Sequence, residues 1–221
     1  MIARRRRAPN GATEVIAEAA RSRSNLYGFL AAAFRAEPTA ELLREMREPA
    51  FQEALAAAGV RLGVNGDGYQ ERRLVDELAQ EFTRLFIGPG GHIPPYAAIH
   101  LGGEGASLWG PDTVWVKDFI ENAGFDYRTD YSDLPDHLGV ELEFMQELTA
   151  CEAEALDNGD SAEANALRRL QTEFLTRHMA RWVPEFCRKV AAAAQLPFYA
   201  GAATLTEDFV QSEAAALSDG N

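Results

Sequence analysis

Alanine constrains this chain more than any other residue. It fills 38 of 221 positions, against 26 for valine, isoleucine and threonine together. Alanine enters a helix at almost no entropic cost, whereas β-branched side chains lose χ1 freedom there. The ratio points to an all-α chain, and apolar spacing agrees. Leu26, Leu30, Ala33 and Phe34 make one stripe at helical period, and Leu74, Leu78, Phe82, Leu85 and Phe86 make a second. Leu138, Leu142, Met145 and Leu148 form a third, with Asp133 and Pro135 placed to open that helix. Leu167, Leu170 and Phe174 lead toward Trp182, Phe186 and Val190, with a break expected just before Pro184. A last amphipathic piece covers 198–217. No sustained alternation marks a strand. The expectation is a single helical domain of roughly eight to ten helices.

Two stretches interrupt the helices. Residues 88–110 hold seven glycines and three prolines, with Tyr96 and Trp109 among them, and read as a long loop of functional character. Residues 124–135 carry turn residues and three aspartates. They form a candidate hinge between two lobes, and such a hinge also allows a domain-swapped dimer beside a monomer. Residues 1–12 read as a disordered basic tail: four arginines are followed by Ala8-Pro9-Asn10-Gly11, not by the apolar run of an export signal.

The formal net charge is −13, which argues against a nucleic-acid partner. Its distribution is uneven: residues 111–160 contain fourteen acids and only two bases, Lys117 and Arg128. Such a stretch is either a solvated acidic face or a surface for a cationic partner. No apolar run reaches the roughly 18 residues of a membrane span. Cys151 and Cys187 stand alone, which fits a reducing, cytoplasmic compartment.

Tests for catalytic chemistry return little. A di-metal carboxylate site needs Glu-x-x-His, and none of the four histidines has a glutamate three positions earlier. There is no His-Glu-x-x-His for zinc and no Gly-x-Ser-x-Gly nucleophile elbow. Gly88-Pro89-Gly90-Gly91 shares only glycine content with a phosphate loop, the sole motivation for a nucleotide-binding enzyme. The expectation is therefore no catalytic residue, no metal and no cofactor.

Two constellations remain. Asp136 and His137 stand at a helix opening, with Glu141 four residues on and beside His137 on one face. They either lock the helix start or form a polar cluster for a donor-rich ligand such as an arginine side chain. Phe82, Leu85 and Phe86 are ordinary core by spacing, yet Pro95 and Tyr96 offer a rigid aromatic lip that could accept an apolar peptide. A groove floor is itself made of core residues, so both readings can hold.

The blocks Glu81-Phe82-Thr83-Arg84-Leu85-Phe86-Ile87-Gly88-Pro89, Pro94-Pro95-Tyr96 and Leu134-Pro135-Asp136-His137-Leu138-Gly139-Val140-Glu141-Leu142-Glu143-Phe144-Met145 resemble the signature blocks of the TorD/DmsD family of redox-enzyme maturation chaperones. NarJ is a more distant branch. His178, Trp182, Pro184 and Pro197-Phe198-Tyr199 extend the likeness. The resemblance implies an all-α, non-enzymatic protein. Such a protein binds the twin-arginine leader and the apo catalytic subunit of a molybdopterin oxidoreductase, holding it for cofactor insertion and delaying export. It further implies that Phe82, Leu85, Phe86, Pro95 and Tyr96 contribute to leader binding, with Asp136, His137 and Glu141 nearby. A NarJ-type assembly factor for a leaderless membrane-bound reductase is the alternative.

Overall fold

A computed structural model describes residues 11–64, 68–103, 105–126 and 134–219. Most of the basic tail, Asp133 and the centre of the candidate hinge lie outside the described residues. Ten α-helices are found among the described residues: α1 (Gly11–Arg35), α2 (Ala40–Met46), α3 (Pro49–Ala57), α4 (Gly68–Phe82), α5 (Ala97–Leu101), α6 (Pro111–Asn122), α7 (Leu138–Asp157), α8 (Ser161–Phe174), α9 (Ala180–Ala193) and α10 (Pro197–Asp219). Two π-turns, Thr83–Ile87 and Leu175–Met179, extend α4 and join α8 to α9. One contiguous apolar cluster runs from Tyr27 to Leu217. The protein is all-α, as the alanine content and the stripes require.

Helix α7 is the centre. Leu138, Leu142, Met145 and Leu148 are fully buried, and α1 lies antiparallel along it. Contacts pair Arg21 with Asp157, Arg23 with Glu152 and Gly28 with Gln146. Gly28 lets the Gln146 amide lie against α1: a β-carbon there would lie 2.8 Å from its nitrogen, and that side chain would have to move aside. The α7–α8 turn is written in its residues: Gly159 takes φ +74° after α7, and Asp160 caps α8 by accepting from the Glu163 amide at 3.1 Å.

Two expectations are corrected here. The break placed before Pro184 is absent, since α9 runs through that proline and the irregularity falls one turn earlier, in the Leu175–Met179 π-turn. Proline removes one N–H and crowds the preceding turn, and an adjoining π-turn is a common accompaniment of such a helix. The 88–110 stretch is not all loop either, because α5 forms inside it.

Two buried glutamates organise the helices around α7. Glu152, 2% exposed, receives Arg23 at 3.1 Å, Gln171 at 2.9 Å and Arg168 at 3.3 Å. Arg23 also reaches Glu213 at 2.5 Å and Gln171 at 2.6 Å, which ties α1, α7, α8 and α10 together. Glu141 is fully buried and accepts from His178 at 2.6 Å and the Trp182 indole at 3.2 Å. Burial pushes the Glu141 carboxyl up to about 7 against the nearby His178. Burial pulls His178 down, but Glu141 outweighs it and the net direction is up.

Replacing Arg23 by alanine leaves Glu152 to Arg168 and Gln171 and leaves Glu213 with only the Tyr27 hydroxyl among the described residues, and should cost about 1.5–3 kcal/mol in urea denaturation. The Glu141–His178 pair sets a pH dependence. Both groups bind protons more tightly folded than unfolded, so the Glu141 contribution is complete below about pH 4.5 and is lost as pH rises through about 7, and the His178 contribution is lost in the same direction. Stability should fall between pH 5 and 8 by up to about 1.4 kcal/mol per unit for each proton involved. Glu141→Gln should flatten that slope; parallel slopes for the two proteins would count against the assignment.

Candidate functional site

The candidate residues meet where two irregular segments cross. Residues 95–98 run antiparallel to residues 136–138: the Leu138 amide donates to the Pro95 carbonyl at 2.8 Å and the Ala97 amide to the Asp136 carbonyl at 3.0 Å. Tyr96 and His137 form the isolated β-bridge between them. Their rings meet edge to face with centroids 5.0 Å apart. Tyr96 is half-buried, and Pro95 and His137 are buried beside it.

Helix α7 begins at Leu138, after both Pro135 and Asp136, which the sequence reading places at its opening. His137 is its N-cap, with extended backbone, and the ring Nδ1 accepts from the Gly139 amide at 3.0 Å. Gly139 leaves room for Arg35 as well, because a β-carbon there would sit 3.0 Å from the Arg35 Cβ. Asp136 precedes the cap and so is not a first-turn residue stabilised by the α7 dipole. Its Oδ2 accepts from the Ala98 amide at 2.9 Å. Its Oδ1 is buried without a hydrogen-bond partner among the described residues; the nearby Thr113 hydroxyl donates instead to the Leu108 carbonyl at 3.0 Å. Burial raises the Asp136 carboxyl, opposed by the Ala98 amide.

The expected His137–Glu141 pairing on one face is also corrected. The i, i+4 rule holds for two helical residues, and a cap with extended backbone does not satisfy it. The two oxygens of Glu141 go to His178 and Trp182.

Phe82, Leu85 and Phe86 are at most 5% exposed and belong to the core beneath this crossing. Phe86 packs on Phe82 at 5.1 Å, Tyr199 at 5.7 Å and Phe34 at 6.0 Å. The Ile93 amide donates to the Leu85 carbonyl at 2.6 Å, fastening the π-turn to the segment that leads to Tyr96. Glu81 and Arg84 of the same block are structural. The Glu81 carboxylate accepts from the Gln195 and Leu196 amides, and Arg84 donates to the Ala193 carbonyl at 2.9 Å, so together they hold the α9–α10 connection.

Side chains outside the predicted set link its halves. Phe186 lies 6.2 Å from Phe86 and 5.5 Å from His100, and His100 stacks on Trp182 at 5.5 Å. Trp182 and His178 then hold Glu141, and Trp115 stacks on His178 at 5.1 Å. In the sequence, His178 and Trp182 stand out only through the family resemblance and their i, i+4 spacing. Burial lowers the basicity of His100, whose Nε2 donates to the Pro94 carbonyl at 2.9 Å. Among the described residues no group of three His, Cys, Asp or Glu is arranged to hold a metal ion. No described helix is long and apolar enough to cross a membrane.

Comparison with known proteins agrees with this architecture. The family model described as nitrate reductase delta subunit matches residues 36–188. The chain is 29% identical to the chaperone protein TorD of Photobacterium profundum over 78% of its own length and 75% of that protein's. It is 25% identical to DmsD of Haemophilus influenzae, named a Tat proofreading chaperone, over 82% and 85% of the two chains. A perchlorate reductase assembly chaperone of Dechloromonas aromatica is 36% identical over 44% of this chain and 42% of that one. A crystal structure of a redox enzyme maturation protein from Archaeoglobus fulgidus has the same fold, with a TM-score of 0.55, 22% identity, and coverage of 86% and 93%. These relatives are named as chaperones rather than enzymes, and the chain belongs to the TorD/DmsD family of redox-enzyme maturation chaperones.

Proposed function

We propose that this maturation chaperone works in the cytoplasm on the catalytic subunit of a molybdopterin oxidoreductase. It binds the subunit's twin-arginine leader and its apo form, holds it for cofactor insertion and delays its export. The observation that carries this reading is the Tyr96–His137 crossing, a partly exposed aromatic lip braced by two backbone hydrogen bonds. Rigid aromatic surface beside polar groups suits an apolar peptide, because little side-chain entropy is lost on binding. The name Tat proofreading chaperone, borne by a relative, supports the leader as ligand. The acidity of residues 111–160 suits its arginines.

The core position of Phe82, Leu85 and Phe86 sharpens their role. They support the lip from below, and the peptide is met by Tyr96 and its exposed surroundings. A second reading, assembly of a leaderless membrane-bound reductase, is favoured by the nitrate reductase delta subunit description of the matching family model.

Calorimetry with a synthetic twin-arginine leader separates the possibilities. Tyr96→Ala should weaken binding by about 2 kcal/mol, roughly thirtyfold, with an unchanged melting temperature. Leu85→Ala should instead destabilise the fold by about 2–5 kcal/mol and lower binding only through loss of folded protein. Affinity should fall as salt is raised. A wild-type protein that ignores the leader yet captures a leaderless catalytic subunit would establish the assembly-factor reading in its place.

A further inference from the structure

One cleft away from the Tyr96–His137 crossing has the chemistry of a cation site. It lies between α6 and α8, has a volume of about 340 Å³, and is lined by Trp115, Asp118, Phe119, Asn122, Leu170 and Glu173, with Ala123 at its end. On α6, positions 115, 118, 119 and 122 follow the i, i+3, i+4, i+7 spacing of a single helix face. That face is turned toward α8, while Val116 and Ile120 fill the core. The rings of Trp115 and Phe119 are half-buried and 5.0 Å apart. Carboxylates stand on both helices, Asp118 on α6 and Glu173 on α8, and no basic side chain is among the lining residues.

We infer that this cleft receives an arginine side chain of the partner peptide, its guanidinium lying against Trp115 and Phe119 and donating to Asp118 and Glu173. The inference rests on the leader reading above and assigns a place to the leader's charged end. A guanidinium is the fitting cation, because its flat, weakly hydrated face stacks on aromatic rings while its edge donates to carboxylates. The competing group is Arg177, which pairs with Glu173 at i, i+4 and is 64% exposed. An exposed pair of that kind is worth only about 0.3–0.5 kcal/mol, so it yields readily to a ligand.

Geometry connects the cleft to the Tyr96–His137 crossing. Gly110, the N-cap of α6, abuts α5: a β-carbon there would meet Ala98 at 3.5 Å. Ala98 is the residue whose amide holds Asp136. Along the same stretch Leu108, Trp109 and Val114 are exposed, Trp109 by 66%. From Gly110 to Asp118 the helix rises about 12 Å, a span that about four extended residues cover. An arginine in the cleft would thus be followed by an apolar segment passing Val114 and Trp109 toward Tyr96. A twin-arginine leader, whose arginines precede its apolar run, has a length and composition that fit this path.

The test uses the full chain, the double variant Asp118→Asn with Glu173→Gln, and three probes: the twin-arginine leader, the same peptide with both arginines changed to glutamine, and N-acetyl-arginine amide. The double variant should bind the arginine leader about tenfold more weakly and the glutamine peptide like wild type, whereas Tyr96→Ala should weaken both. N-acetyl-arginine amide should shift the Trp115 indole N–H resonance in wild type and not in the double variant. If the double variant binds the arginine leader like wild type while Tyr96→Ala still fails, the cleft assignment is overturned and the leader reading stands. If wild type binds neither peptide, the leader reading falls, and the amide titration alone decides the cleft: an unmoved Trp115 resonance overturns it.

Discussion

The fold depends on placing two carboxylates inside a helical bundle. Glu141 and Glu152 of α7 are 0% and 2% exposed. They are eleven residues apart, about three turns, so they point the same way with a separation of about 16 Å. An isolated buried carboxylate costs far more than the bundle can spare, so each needs donors at a fixed position. The rod of α8, its π-turn and α9 supplies them in antiparallel order. Gln171 and Arg168 meet Glu152 near one end, and His178 and Trp182 meet Glu141 near the other. A one-residue slip of the rod would leave both glutamates facing the wrong side chains. The apolar stripes bring α7 and the rod together, and the glutamates select a single register.

The same arrangement joins the interior to the candidate site. His178 and Trp182 stand in or just after the π-turn, where the extra residue rephases the rod. Trp182 carries His100 on one side, and His178 carries Trp115. His100 belongs to α5, which fixes the backbone after Tyr96; Trp115 belongs to α6 and lines the cleft. The partly exposed lip and the cleft therefore both border one buried network of aromatic and hydrogen-bond contacts.

The sequence carried the part of this structure that periodicity can express. Stripes such as Leu138, Leu142, Met145 and Leu148 follow from spacing alone, and all four are fully buried. What it concealed were long-range pairings: Arg23 meets Glu152 across 129 positions, and His178 meets Glu141 across 37. Local rules misled at His137 for a physical reason. Its ring caps Gly139 from extended backbone, so a rule for residues within a helix assigned Glu141 the wrong partner. Pro184 misled similarly, since a proline usually breaks a helix and here the break is moved into the π-turn. Local chemistry marked Tyr96 and the Asp136-His137 pair as two separate constellations, and only the family resemblance placed them near each other. Trp115 and Asp118 were not, because an amphipathic face turned toward a neighbouring helix looks like any other stripe.

The acidity of residues 111–160 also changes meaning once its members are placed. Glu141 shares its proton with His178, and Glu152 is compensated by Arg23 and Arg168. Glu121, Glu143 and Asp157 are paired with Lys117, Arg35 and Arg21, and Asp160 caps α8. Much of the formal charge thus serves the fold and adds little to the outward field. Asp112 and Asp118 of α6 are outside those pairings, and Asp118 borders the cleft with Glu173. Outside those pairings the described helical remainder is divided between α6, with Asp112 and Asp118, and α7, with the exposed Glu147 and Glu154. If the proposed leader binds, its arginines would be drawn to Asp118 and Glu173 at the cleft, while burial of apolar surface at Tyr96, Trp109 and Val114 would have to supply most of the affinity, because exposed charge pairs contribute only about 0–1 kcal/mol each.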